Sequence, residues 1–217
     1  MYKIAYDRAQ KANKHEIKHN WLRCNGYNLI DLPLPVGDYI AVTGDVEEVI
    51  GRRGDKLKKM DLLGVTAVTI DTKQGLGEVC SNICGKSHSR FRDEAILAQI
   101  NNIKFVVLVE HSRYVKSIDD VANWKNPRRY QYEKMVRKEW SIPRDADFQS
   151  ELAELKLHGA KITRGPTTGA ELAKSMRSMS EKYGIVWEFC DKNHTGEKIV
   201  ELLFGDMGEK RMHRGCN

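Results

Sequence analysis

The sequence lacks long apolar runs, an export signal and a cysteine framework, and each absence excludes a class of protein. Its longest unbroken apolar stretch, Phe105 to Val109, is far below the roughly 20 residues that a membrane-spanning helix requires. No membrane partner is therefore expected. The opening segment Met1-Tyr2-Lys3-Ile4-Ala5-Tyr6-Asp7 has no signal-peptide core, which predicts a cytoplasmic address. Five cysteines, at 24, 80, 84, 190 and 216, make an odd and scattered set. A secreted disulfide scaffold does not look like this, so reduced thiols are expected. There is no internal repeat and no evident linker, and one domain is the simplest organisation.

What is present is ordinary for a folded chain. Hydrophobic residues make up 41% and charged residues 30% of 217 positions, enough to bury a sizeable core. The formal charge of +6 suits a polyanionic partner without establishing one. No small-molecule organic cofactor is suggested.

Periodicity predicts the elements. Tyr2, Ile4 and Tyr6 alternate as in a strand, with Asp7 at its end. Ile17, Trp21, Leu22 and Cys24 recur at helical spacing over about 13–25, and Asn25-Gly26 supplies the stop. A strand over about 28–32 leads through Pro33 and Pro35 to one over 36–42, read as its hairpin-like partner and carrying Asp38. Residues 45–63 are helix formers, interrupted by Gly51 and Gly54. Residues 65–71 are β-rich, which sets Asp71 at a strand end and Lys73 just beyond. Helices are expected over 78–84 and 90–101, and a buried strand over 104–110. Residues 112–160 read as irregular apart from a helix near 128–140. Leu172, Met176, Met179 and Tyr183 mark the core face of a further helix, followed by a strand over 185–190 and a helix over 195–204. The glycines and basic residues of 205–217 predict a flexible basic tail. These elements predict an α/β fold, one mixed β-sheet flanked by helices in a single domain over 1–204, with insertions at about 43–64 and 112–164.

The chemistry concentrates at Asp38, in Val36-Gly37-Asp38-Tyr39, and at Asp71 and Lys73, in Ile70-Asp71-Thr72-Lys73. Asp-x-Lys on extended backbone puts both side chains on one sheet face. If the strands holding Asp38 and Asp71 pair, two carboxylates and an ammonium converge. Hard oxygen ligands of this kind suit Mg²⁺ or Mn²⁺, which activates water on a phosphodiester while a lysine stabilises developing charge. Taken alone, the same short patterns are common on solvated strands.

The order of the surrounding motifs adds to this. Asp7-Arg8-Ala9-Gln10 follows the first strand, and Leu34-Pro35-Val36-Gly37-Asp38-Tyr39 follows the first helix. Then come Asp71-Thr72-Lys73-Gln74-Gly75-Leu76-Gly77, Ser89-Arg90-Phe91-Arg92-Asp93-Glu94, Val107-Leu108-Val109-Glu110 and Tyr183-Gly184-Ile185-Val186-Trp187-Glu188. Over roughly 2–130 and 165–204 this series resembles the XPF-type structure-specific endonuclease domain of the PD-(D/E)xK nuclease superfamily. The likeness is to its compact stand-alone form, as in phages and bacterial mobile elements. The resemblance implies a restriction-endonuclease-like fold and a metal-dependent DNA endonuclease acting on branched, flapped or junction DNA in a bacterial or phage-infected cell. It implies Asp38, Asp71 and the carbonyl of Thr72 as ligands of Mg²⁺ or Mn²⁺, Lys73 as catalytic, Asp7 at the border and Arg90 on a phosphate. The chain departs from the family at Ala9 and Asp71, where glutamates are usual, and at Gly77, where an acid is expected. Homodimerisation through the closing helices is compatible with the resemblance.

Other signals compete. Gly51-Arg52-Arg53-Gly54 resembles the Gly-x-x-Gly loop of KH domains, which clamps a nucleic-acid backbone. It supports the alternative of a non-catalytic nucleic-acid-binding protein, either a decayed nuclease or a KH-like binder. Further phosphate contacts are expected from Arg52, Arg53, Lys86 and Arg92. Cys80, Cys84 and His88 lie at i, i+4 and i+8 and suggest a weaker third reading, a zinc site completed by His213 or Cys216. Buried free thiols are the simpler expectation for these cysteines.

Overall fold

The structure, a computed structural model, describes residues 2–10, 14–112 and 114–205. The basic tail expected at 205–217 lies, apart from Gly205, outside the described residues. Six strands form one sheet in the order β2-β1-β3-β4-β5-β6. β1 (Lys3–Asp7), α1 (Glu16–Cys24) and β2 (Asn28–Leu32) make a parallel strand–helix–strand unit. β4 (Val68–Lys73), β5 (Lys104–His111) and β6 (Val186–Asp191) are also parallel to one another. Between the two sets lies β3 (Tyr39–Ala41), antiparallel to β1 and to β4.

This order corrects one expectation. β3 is not the hairpin partner of β2, because β1 occupies the place between them. The segment after β2 crosses the end of β1 and enters the sheet on its other side. β3 is also shorter than the expected 36–42, since Asp38 sits in the turn before it. β4, in contrast, runs two residues beyond its expected end and takes in Lys73.

Alternation in the strands divides the core in two. Val107 and Val109 of β5 face a layer built from α3 (Leu76–Ile83), α4 (His88–Ile100) and α8 (Gly169–Tyr183), where Phe91, Leu172 and Met176 are buried. Ile70, Val106 and Leu108 face the other way and pack with Leu22 of α1 and with Ile199 and Val200 of α9 (Thr195–Phe204). A third cluster lies where α2 (Gly44–Arg53) covers Ala5 and Ile40 through Val46 and Val49. The result is a mixed α/β domain with a central sheet flanked by helices. Among the described residues no helix is long and apolar enough to cross a membrane.

The irregular reading of 112–160 is incomplete. α5 (Ile118–Val121), α6 (Pro127–Glu139) and α7 (Phe148–Leu157) all lie there. The side chain of Asp147 accepts from Ser150 N–H at the start of α7, an ordinary N-cap. Phe148 then packs with Tyr132, Val136 and Ile142 in a small cluster of its own. The helix was hidden because its apolar residues serve this satellite core and leave a weak stripe.

α1 also differs from expectation. Ile17, read as a core residue, is exposed, and Lys18 beside it is buried. Its ammonium is ion-paired with Glu110 on β5, with both side chains below 5% exposure. The pair fastens α1 to the sheet, but its charges have been taken out of water at a cost that mutual attraction only partly offsets. Lys18→Met, which strands the buried carboxylate, is expected to cost about 3–5 kcal/mol. Lys18→Met with Glu110→Leu should recover most of that loss. Urea unfolding measures both, and equal destabilisation by the single and double variants contradicts this account.

Candidate active site

The sheet brings Asp38, Asp71 and Lys73 to one place. In the β3–β4 register Tyr39 stands opposite Ile70, so Asp38 falls beside the continuation of β4. Asp38 N–H donates to Ile70 O (2.7 Å), and Asp38 O accepts from Asp7 N–H (2.8 Å). Its carboxylate oxygen Oδ2 accepts from Thr72 N–H (2.8 Å) and from the Thr72 hydroxyl (2.5 Å). The N–H and C=O of one strand residue point to the same edge of the strand, which puts the Thr72 carbonyl on the β3 side of β4.

The turn that presents Asp38 depends on Gly37. Its φ of +68° is in the left-handed region, and a Cβ there would lie 2.4 Å from Thr69 Oγ1. Glu94 on α4 holds this turn by accepting from Gly37 N–H (2.9 Å). Asp7 borders the group through its backbone bond to Asp38, while its carboxylate accepts from Leu34 N–H (3.3 Å).

Asp71 and Lys73 share a face of β4 and are both buried. Lys73 Nζ lies 2.5 Å from Asp71 Oδ2 and 5.5 Å from the centroid of the Phe91 ring. The contact is a buried, charge-assisted ion pair. Burial pushes the Asp71 carboxyl up to about 7, a rise that Lys73 opposes and that Asp38 and Glu94 reinforce. For Lys73, burial favours loss of the proton, but the adjacent Asp71, with Asp38 and Glu94, more than offsets it and raises the ammonium above its ordinary value.

Glu94 ends the segment 89–94 of the motif series, but no role attaches to it there. It carries weight because α4 packs its carboxylate against the Gly37 turn. His15 was also missed; it is depressed by burial first and by Lys18 next, and it lies within the electrostatic reach of Asp38. His19 is held down at about 4, again mainly by burial, and its Nε2 is 2.9 Å from the Tyr39 hydroxyl.

The remaining expected residues are dispersed. Arg90 is exposed on α4, one helical turn before Glu94. Arg92 instead pairs with Asp93 (2.8 Å). Lys86 lines a cavity beyond the end of α3. Arg52 and Arg53 are exposed at the end of α2, and Arg53 pairs with Asp61 (2.8 Å). Gly51 is inside that helix and Gly54 opens a short 3-10 turn, so Gly51–Gly54 is not the free loop that a KH-like clamp needs. Gly77 is exposed on α3 with open space around it. Glu78, the neighbouring acid, instead accepts from Gln74 N–H (2.8 Å).

Whether a divalent cation fits is a question of donors. Asp38 and Asp71 offer hard oxygens, and Asp71 Oδ2 is a buried carboxylate oxygen whose charge Lys73 balances. Among the described residues no group of three or more His, Cys, Asp or Glu side chains gathers as a metal cage. Two carboxylates and a carbonyl still suit a cation that keeps several waters, as Mg²⁺ does. Cys80, Cys84 and His88 do not form such a group either; His88 Nδ1 lies 2.9 Å from Ile83 O.

No family model matches the chain, and no curated protein does. Among solved structures it is similar to XPF from Aeropyrum pernix, at 12% identity and a TM-score of 0.46, over 93% of this chain and 59% of that one. It is likewise similar to XPF from Aeropyrum pernix in complex with DNA, at 13% identity and a TM-score of 0.46, over 94% of this chain and 64% of that one. The chain thus spans about three-fifths of the length of the structures it matches.

The raised Asp71 value has a stability consequence. A carboxyl that holds its proton more tightly when folded makes the folded state bind more protons, so stability falls as pH rises from about 4 towards 7. The raised lysine acts in the alkaline range and leaves this window alone. Relative to Asp71→Asn, the wild-type protein should therefore lose stability across this window, in total by on the order of 4 kcal/mol. Chemical denaturation in a pH series measures the difference, and parallel curves for the two proteins refute it.

Proposed function

We propose that the chain is a divalent-metal-dependent endonuclease that hydrolyses phosphodiester bonds in DNA, with branched, flapped or junction DNA as its substrate. One observation carries this reading. Asp71 and Lys73 are buried as a charged pair at the point where Asp38 leads into the neighbouring strand. A pair that served packing alone would be replaced by apolar residues at little or no cost, whereas here two carboxylates and an ammonium converge at one point of the sheet. The motif order shared with XPF-type nuclease domains supports the same assignment.

In this reading Asp38, Asp71 and the Thr72 carbonyl hold Mg²⁺ or Mn²⁺. The bound ion would neutralise charge on the phosphodiester and acidify a water. Lys73 keeps its proton and donates to the attacking water or to a phosphoryl oxygen, where a preformed cation in a dry site is most effective. Asp7 steadies the Asp38 backbone, and Glu94 steadies the turn before it. Arg90 takes a substrate phosphate, assisted further out by Lys86, Arg92, Arg52 and Arg53. The catalytic unit spans 1–204, with 43–64 and 112–164 as additions, and it works in the cytoplasm of a bacterial or phage-infected cell.

The test is cleavage of fluorescent flap, fork, junction and plain duplex DNA with Mg²⁺ or Mn²⁺. Asp71→Ala and Lys73→Ala should each reduce the rate by roughly 10²–10³-fold, as expected for removal of a directly acting charge. Mn²⁺ should also raise the thermal midpoint of the wild type and leave that of Asp71→Asn unmoved. Unchanged cutting by both alanine variants defeats the proposal. Salt-sensitive DNA binding without cutting by the wild type favours the non-catalytic alternative.

A further inference from the structure

Cys80 and Cys84 lie at the other end of α3 from Lys73. Cys80 is inside the helix and Cys84 is its C-cap, so their side chains fall on the same side. The two thiols influence each other's protonation, and Thr167 lies beside both. Cys84 also donates to Ser175 Oγ (3.5 Å), whose own proton goes to Glu171 O (3.0 Å). Cys84 is exposed and Cys80 half-buried, contrary to the expectation of buried, inert thiols. A cavity of about 310 Å³ is lined by both cysteines, with Lys86 and Arg128 among its other lining residues.

We propose that Cys84 is a peroxide-reactive thiol and Cys80 its resolving partner, so that the pair closes to a disulfide at the end of α3. This inference is independent of the nuclease reading. Three features support it. The cavity gives a small hydroperoxide access to the sulfur. The side chains around it suit an anion: hydrogen bonding with Cys80, the largest contribution, with Thr167, and with Ser175 once its proton turns from Glu171 O to the sulfur, favours a thiolate at Cys84 and brings it down to about 6 against the opposing effect of burial. The contrast with Cys190 is direct, since burial pushes that thiol up to about 11. The second thiol, finally, lies one helical turn away on the same side of α3.

The chemistry balances. The Cys84 thiolate attacks one peroxide oxygen; an S–O bond forms as the O–O bond breaks, and the departing oxygen takes a proton to leave as water or an alcohol. Sulfur has lost two electrons to the peroxide. Cys80 sulfur then displaces the hydroxyl of the sulfenic acid, forming the S–S bond and releasing water. Helical thiols at this spacing have Cβ atoms about 5–6 Å apart, whereas a disulfide needs about 3.5–4.5 Å, so the last turn must tighten. It can do so because Cys84 is already outside the regular helix and is held there by one backbone bond to Cys80 O (2.9 Å).

The experiment treats reduced full-length protein with hydrogen peroxide and maps the products by peptide mass spectrometry. The expected product has lost two hydrogens within the peptide that carries Cys80 and Cys84. Cys80→Ser should leave Cys84 as a sulfenic acid that dimedone traps, and Cys84→Ser should leave Cys80 unreacted. At neutral pH iodoacetamide should label Cys84 a few-fold faster than exposed Cys24. The larger thiolate fraction gains about 30-fold, but the weaker nucleophilicity of a low-pKa thiolate returns much of it. Oxidation of Cys24 as fast as Cys84, or no dimedone adduct on a folded Cys80→Ser protein, overturns the proposal. Overoxidation of wild-type Cys84 without a disulfide overturns the resolving role of Cys80.

Discussion

Asp38 ties three strands together, and the geometry around β4 depends on it. Its N–H goes to β4 and its carbonyl receives an N–H from β1. Its side chain then takes the Thr72 N–H that β3 is too short to satisfy. A buried strand N–H left without an acceptor is costly, so the carboxylate performs a structural task in the same place where the fold gathers its charges. The turn that makes this possible admits only glycine at position 37, because both the left-handed φ and the approach to Thr69 exclude a Cβ.

The charges gathered there work against folding. Asp71 is desolvated and faces the negative fields of Asp38 and Glu94, with Lys73 as its compensation. Against a net stability of about 5–15 kcal/mol, an ionised carboxylate in this setting is a large term. The remaining structure absorbs it through apolar burial on both faces of β5 and through caps that satisfy helix ends, such as the reciprocal Thr168–Glu171 pair opening α8. The Lys18–Glu110 pair is placed differently. Glu110 belongs to the opposite face of β5 from Val107 and Val109, so its partner comes from α1 and it does not share the face of Asp71.

Local patterns made part of this legible. Alternation located β1 and the unbroken apolar run located β5; β2 and β6 were likewise placed to within a residue or so, and the stripe from Leu172 to Tyr183 located α8. The Asp-x-Lys spacing implied a shared face, which the extension of β4 through Lys73 provides. Strand order was not legible, because nothing in 28–42 distinguishes a hairpin from a crossing over the end of β1. The burial of Lys18 was not legible either: its partner is 92 residues away, and an isolated lysine on a helix reads as solvated. α7 escaped because its packing partners lie in α6 and the segment after it, outside the main core.

Position 94 shows how far motif comparison reaches before physics must take over. The resemblance expects an acid at Gly77 and gives position 94 no role. Gly77 faces open space on α3, so an acid added to it would start from a solvated position. Glu94, by contrast, is fixed by the Gly37 N–H, and its charge acts on both Asp71 and Lys73. A glutamine could accept the same hydrogen bond but would contribute no field. The carboxylate at 94 therefore does two separable things: it holds the turn that carries Asp38, and it helps to keep Lys73 protonated inside a dry sheet face. A neighbouring carboxylate raises an ammonium in this way by favouring its charged form. Motif matching weighs positions 77 and 94 one at a time; the electrostatics couple 94 to the pair on β4 and leave 77 in solvent.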